Sequence, residues 1–399
     1  MPKLLSPPTY FRDSKSSPNS KRSISWLELF YDLVFVATLI QLGDFLGAEL
    51  HLPGFGQFLV MLTTIWLVWF SMAFFQNRYV VDDLLHRILI FFQISAIAIM
   101  GISLRGAFGE LATQFTIACI ATRLALILMY ARTMFSHPES RQFTARYVVG
   151  FSLASLVWTS SIFLPDGYQW IAWLVGISIE LSVPQLSRIS QYRRLWPIDK
   201  HHIAERFGVF VIIVIGESFI KFLSVTEGYS IGLQQISYGG VGLIVVFALW
   251  WLYFDDLPQT EVNAGDDRSA VLWAYGHLPL VVSLVALGVS AKKLFLADID
   301  AHSSALPEEY RLLYVSSLIL YFIAMTIIEQ GLRFDSGEAG RFPRVFGNLV
   351  SAALIGIIGF TLGNLAGANL VRLLALVVLG RLCFSMYLGS RGKSVAEAP

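Results

Sequence analysis

Apolar residues in this chain do not alternate with polar ones; they form long blocks separated by short polar breaks. Twelve such blocks fall near 26–46, 55–75, 85–104, 111–131, 146–164, 169–187, 203–223, 233–254, 269–290, 310–332, 345–366 and 368–389. A hydrocarbon core of about 30 Å takes roughly 20 helical residues. Within one continuous block, only a helix satisfies every backbone donor and acceptor without water. The blocks are also too long and too unbroken for the alternating strands of a membrane barrel. The pattern predicts an all-α integral membrane protein of about 12 transmembrane helices.

Composition agrees: 55% of the 399 residues are hydrophobic and only 14% are charged, well away from the balance of a soluble domain. The formal net charge is +1, so no global field points to nucleic acid or another strongly charged partner. The placement of charge says more. With the N-terminus in the cytoplasm, 21 of the 29 basic residues fall on the inner side, six on the outer side, and Arg123 and Arg381 within spans. That asymmetry predicts a cell-membrane protein (plasma or inner) with both termini cytoplasmic.

Residues 1–24 are polar, Pro/Ser-rich and basic, and no small-residue cleavage site follows them. They read as a disordered cytoplasmic tail before a retained first span. Cys119 and Cys383 lie in apolar runs without C-x-x-C or histidine spacing, which indicates neither a disulfide framework nor zinc.

The chain also echoes itself. W66-L-V-W-F70, Asp82-Asp83 and Gln93 recur as W250-W-L-Y-F254, Asp266-Asp267 and His277, each at an offset of 184 residues. E28-L-F and E205-R-F open the first and seventh blocks, each leading to a Gly-acid pair, Gly43-Asp44 and Gly216-Glu217. R141-Q-F-T-A-R146 has a counterpart in R341-F-P-R344. Six spans per half would make the halves parallel, as in many transporters. The expected organisation is a first six-helix half over 25–196, a second over 197–390, and a cytoplasmic C-terminal tail over 391–399.

At E28-L-F-Y-D-L-V-F-V36 and H202-I-A-E-R-F-G-V-F-V-I-I-V-I-G-E217 the chain resembles the low temperature requirement protein A family of bacterial multi-pass membrane proteins. The likeness covers the spans and excludes the N-terminal tail. Glu28, Phe30, Asp32, Glu205, Arg206, Gly216 and Glu217 carry it. The resemblance implies a membrane location and a link to growth in the cold, but no agreed substrate or reaction.

Polar residues inside the blocks are the candidate functional groups. Ser25-x-x-Glu28 fits a capping box, and Asp32 lies one turn further on the same face, open to packing against Arg78, Arg87 or Arg206 or to a gating role. His201, His202 and Glu205 share a helix end, where interfacial positions compete with a metal site. Arg123 and Glu180 each lie roughly 16 to 18 Å into an inward-running span, as a static ion pair or as a substrate or proton site. Pro184 and Pro279 remove helix amides near Glu180 and His277. Lys221 can neutralise Glu217 one turn away, Gln41 is a candidate interior-lining group, and Asp44 reads as an exposed outer carboxylate. Trp66, Trp69, Trp250 and Trp251 read as helix packing. Gln93 and His277, matched across the echo, would line a common pathway if both face a pseudo-twofold axis, with His277 exchanging a proton.

No phosphate loop, nucleophile motif, haem motif or metal cluster is legible, so no cofactor is expected and an enzyme ranks below other readings. The sequence favours a secondary transporter or permease-like protein for a small solute or proton, with membrane lipids as surroundings. The alternative is a non-transporting protein that binds lipid or assembles partners. The topology is open to test. Cysteines introduced at Ser14 and Ser394 should resist an impermeant thiol reagent in intact cells and react after permeabilisation; labelling in intact cells would invert the assignment.

Overall fold

The computed structural model describes residues 5–11, 22–165, 167–185, 195–223, 233–256, 267–300, 307–332, 338–362 and 367–396. Among them are twelve helices of 14 residues or more: α1 (Trp26–Ala48), α2 (Leu52–Arg78), α3 (Leu84–Ser103), α4 (Ala112–Ser136), α5 (Arg141–Ser160), α6 (Gln169–Ser182), α7 (Lys200–Leu223), α8 (Leu233–Asp256), α9 (Asp267–Asp300), α10 (Glu308–Gln330), α11 (Glu338–Thr361) and α12 (Gly367–Ala396). Eight of these twelve contain a stretch long and apolar enough to cross a membrane: α1 to α4 and α9 to α12. In α8 the described apolar stretch is the shorter Gly239–Asp255. α6 has only 14 residues, ending at Ser182 where Pro184 cannot supply the next amide. α9, by contrast, runs through Pro279 without interruption.

The chain forms two compact units. One comprises Met1–Phe45 and Leu52–Phe210, the other Leu46–His51 and Val211–Pro399. α7 is shared between them, its start packing into the first unit because Phe207 and Phe210 clasp Trp69 of α2. The Trp69 and Phe210 rings stack with centroids 4.0 Å apart, and Phe207 meets the Trp69 edge at 4.9 Å.

In the first unit α4 packs on α3 and α5, α5 on α6, and α2 touches both α4 and α6. Aromatic pairs fill the contacts: Tyr130 stacks on Tyr147 at 4.9 Å, and Trp158 on Trp173 at 5.7 Å. The Trp173 indole donates to the Thr116 and Ser161 hydroxyls at 3.1 Å each, which satisfies its N–H. On α1 the buried positions Glu28, Tyr31, Asp32, Phe35, Thr38, Leu39, Leu42 and Phe45 recur every three or four residues.

In the second unit α10 packs against α9 and α11, and α12 against α8 and α11. α7 and α9 approach closely at Ser218 and Gly288. A Cβ on Gly288 would come within 2.9 Å of the Ser218 backbone, so only glycine fits. The Ser218 hydroxyl uses that closeness to donate to the Leu284 carbonyl at 3.1 Å.

Residues 5–11, expected within a disordered tail, form a strap on the first unit. Thr9–Tyr10 (β1) pairs antiparallel with Tyr79–Val80 (β2), and Phe11 N–H donates to the Arg78 carbonyl at 3.0 Å. Tyr10 is buried and its hydroxyl donates to the Pro197 carbonyl at 2.8 Å. Asp83 anchors the other end. It accepts from the Ser6 amide at 2.8 Å, from the His86 amide at 2.9 Å as the N-cap of α3, and from both Arg132 Nη atoms. The strap was illegible because its partners lie 71 to 187 residues away.

Burial alone would raise the Asp83 pKa, but Arg132 and the two amides outweigh it and hold the carboxyl at about 2. A carboxyl depressed in the folded state stabilises fully above its unfolded value and loses that contribution only as pH falls toward 2. Amide exchange at Ser6 and Phe11, whose N–H groups bond Asp83 and the Arg78 carbonyl, should therefore, corrected for intrinsic rates, stay protected from pH 7 to pH 4 in the wild type. Asp83→Asn should strip that protection at every pH.

Candidate functional site

Three helix ends of the first unit build a buried polar cluster: the start of α1, the end of α2 and the start of α7. The α1 contribution begins with its cap. Glu28 Oε2 accepts from the Ser25 amide at 2.8 Å while Ser25 Oγ accepts from the Glu28 amide at 3.3 Å, the reciprocal pair of a capping box. One turn on, Asp32 Oδ1 accepts from Arg206 Nη2 of α7 at 2.5 Å and from the Trp69 indole of α2 at 2.8 Å. Asp32 and Arg206 are both 0% exposed, so each charge depends on the other. Of the three arginines open to Asp32, Arg206 is the partner. Arg78 instead lies over the Phe143 ring and donates to the Trp196 carbonyl, and Arg87 pairs with Asp82.

Arg206 also donates through Nη1 to Gln76 Oε1 and lies 3.5 Å from Glu28 Oε1. Arg22 ties the same place from outside, reaching Glu28 Oε1 at 3.3 Å and the Gln76 carbonyl at 2.8 Å. Asn77 sets the histidine. Its Oδ1 accepts from the Asp199 amide at 2.9 Å and its Nδ2 donates to the Asp199 carbonyl at 2.8 Å, which fixes the orientation of the amide. Nδ2 therefore faces His202 Nδ1 at 3.2 Å, so that ring nitrogen is an acceptor and Nε2–H points to Glu28, 3.3 Å away. His201 turns elsewhere, to Glu205 at 3.6 Å on a half-exposed face.

Among the described residues, Asp32 Oδ2, Arg206 Nε and the hydroxyl of Tyr31 find no hydrogen-bond partner, all on side chains 0% exposed. An acceptor, a donor and a group that is both are thus left with unused capacity away from bulk solvent.

Arg123 and Glu180 meet deeper in the same unit. Arg123 Nε and Nη2 donate to Glu180 Oε1 and Oε2 at 2.9 and 3.0 Å, a two-pronged pair. Arg123 Nη1 donates to Thr122 Oγ1 at 3.0 Å, and the guanidinium lies over the Trp158 ring at 5.5 Å. Gln93 of α3, also buried, donates to the Thr122 carbonyl at 3.0 Å.

The remaining candidates are scattered. Gln41 does not line an interior. It sits on the exposed stripe of α1 with Phe30, Leu33 and Ala37, a helical face away from Asp32. Asp44 is half-buried on the same helix. Glu217 pairs with Lys221 at 3.2 Å within the second unit. His277, likewise in the second unit, donates from Nδ1 to the Trp273 carbonyl at 2.7 Å and accepts at Nε2 from Tyr253 at 3.0 Å. Both ring nitrogens thereby suit a neutral histidine.

Several contributors were missed in the sequence. Trp69 read as packing alone, and Gln76 and Asn77 fell just past the predicted block 55–75. Asp199, directly before α7, had a usable signal as an N-cap; its side chain accepts from the His202 amide at 3.3 Å. In the second unit Asn348 donates to Glu329 Oε1 at 3.1 Å and accepts from Arg381 Nε at 2.9 Å, joining α10, α11 and α12.

Comparison with known proteins adds a family. A family model described as bacterial low temperature requirement A protein matches residues 23–382. An uncharacterized protein of Rhizobium meliloti (strain 1021) is 26% identical over 284 residues, 66% of this chain and 68% of that protein. No solved structure matches.

The Arg123–Glu180 pair yields a direct test. Arg123→Leu leaves a carboxylate buried without its cation and should cost about 3–5 kcal/mol, whereas Arg123→Leu/Glu180→Leu together should cost markedly less. Folded yield and unfolding midpoint in detergent measure the difference; additive losses would mean the two groups are not coupled.

Proposed function

The chain belongs to the bacterial low temperature requirement A protein family, and on that footing we propose that this polytopic membrane protein is a secondary transporter or permease-like protein, proton-linked, acting on a small solute. Its site is the Glu28–Asp32–Arg206 cluster of the first unit. The observation that carries this reading is the unused capacity at Asp32 Oδ2, Arg206 Nε and Tyr31, each on a side chain 0% exposed. A buried network built only for stability gains from filling every such position. A binding centre instead keeps positions open for what it binds, and ionisable groups within membrane spans are most often found where something passes.

The proton-bearing role moves from His277 to Asp32 on this reading, since His277 already spends both nitrogens on partners that suit its neutral form. The Arg123–Glu180 pair, with its two-pronged geometry, holds α4 to α6. The proposal includes twelve spans in two parallel six-helix halves, an internal repeat, and a cell-membrane location with both termini in the cytoplasm. The charge asymmetry of the loops and the offset of 184 residues between matching motifs support these.

A second reading rests on a different observation. A shallow, open face of α6 presents Leu174, Val175 and Ile179 with Ser178 and Ser182. A mainly apolar lateral surface of that kind suits an acyl chain and supports a non-transporting, lipid-binding protein.

Purified protein in liposomes, with a pH dye inside and a panel of solutes outside, separates the readings. Wild-type protein should move protons when its solute is present. Asp32→Asn should abolish that movement while remaining folded, and the exposed Glu49→Gln should leave it unchanged. A folded Asp32→Asn that still couples would remove the site. Wild-type protein inert across the panel, together with co-purified lipid lost in Val175→Trp, would favour the second reading.

A further inference from the structure

The Arg123–Glu180 pair borders a small, partly open cavity of about 10 Å³ in the first unit, whose wall also includes Ser71, Gln93 and Thr122. Gln93 is 1% exposed, and its amide cannot be turned over. The Thr122 carbonyl at 3.0 Å is an acceptor only, so the NH₂ must face it and Oε1 must face away. That Oε1 is buried and has no hydrogen-bond partner among the described residues. An amide oxygen cut off from solvent is destabilising unless a donor meets it.

We propose that this cavity holds one water molecule, bound through Gln93 Oε1 beside the Arg123–Glu180 pair. Size and charge leave few other occupants. A volume of about 10 Å³ admits one non-hydrogen atom, since a water needs roughly 10–15 Å³ on the same measure. The Arg123 and Glu180 charges in the wall already neutralise each other, so nothing there compensates the desolvation of a further ion. The occupant is therefore small, neutral and a donor toward Gln93, with polar wall groups for its other hydrogen bonds. Water meets each condition, and it is the ordinary filler of polar internal voids.

The consequence is a hydrated ion pair in the middle of the helices rather than a dry one. Glu180 then shares its cavity with an exchangeable hydrogen-bond partner, and Gln93 becomes a water-positioning residue as well as a link between α3 and α4. This holds whether or not the protein transports.

A density map of the nanodisc-embedded protein at a resolution that shows ordered water tests it. Wild-type protein should show a peak about 2.6–3.2 Å from Gln93 Oε1. In Gln93→Leu, which keeps the bulk and removes the acceptor, the peak should be lost while the Arg123–Glu180 pair stays in place. An empty cavity in the wild type overturns the proposal, as does a peak that persists unchanged in Gln93→Leu. If Gln93→Leu does not fold, the wild-type map alone decides.

Discussion

Asp32 and Arg206 form an ion pair shut off from bulk solvent, 174 residues apart in the chain and both 0% exposed. Neither charge is tolerable at that depth alone, because an unpaired ion buried in protein or lipid costs several kcal/mol. The start of α7 is therefore held against the start of α1. Trp69 and Gln76 of α2 complete the coordination of the pair, and α2 is drawn into the same place. Loss of either member would uncouple three helix ends at once.

The surrounding groups follow from that pairing. Glu28 is close enough to Arg206 to share its charge, so it can serve the α1 cap and the cluster together. Asn77, locked to the Asp199 backbone, presents its NH₂ to His202 and so holds that ring as an acceptor on one side and a donor to Glu28 on the other. Two carboxylates, Glu28 and Asp32, there meet two arginines, the buried Arg206 and Arg22 at the rim. The charges balance, and what stays unused is the second oxygen of Asp32.

The second unit meets the same physical demand by other means. Glu217 and Lys221 neutralise each other along one helix, and Asn348 relays between Glu329 and Arg381 across three helices. His277 is enclosed by a carbonyl and a tyrosine hydroxyl. Gly288, pressed against Ser218, shows how closely helices approach where polar contact replaces apolar bulk.

The block pattern of apolar residues determined that the chain is helical and membrane-embedded, because the need to satisfy each backbone group locally leaves one economical solution per block. It also located Arg123, Glu180, Asp32 and the Ser25–Glu28 cap, since a charge in an apolar run and a capping box are both local signals. What each charge faces was decided only in three dimensions. Arg78, Arg87 and Arg206 were equal partners for Asp32 on sequence, and helix packing selected one. Gln41 looked interior until the rotation of α1 turned it outward. The strap over residues 5–11 is too short to carry a periodic signal, yet Asp83, Arg132 and Pro197 hold it from far along the chain. Local hydrogen bonding and hydropathy act between neighbours in sequence, whereas ion pairs and strap contacts act between neighbours in space, and only the packed helices define those.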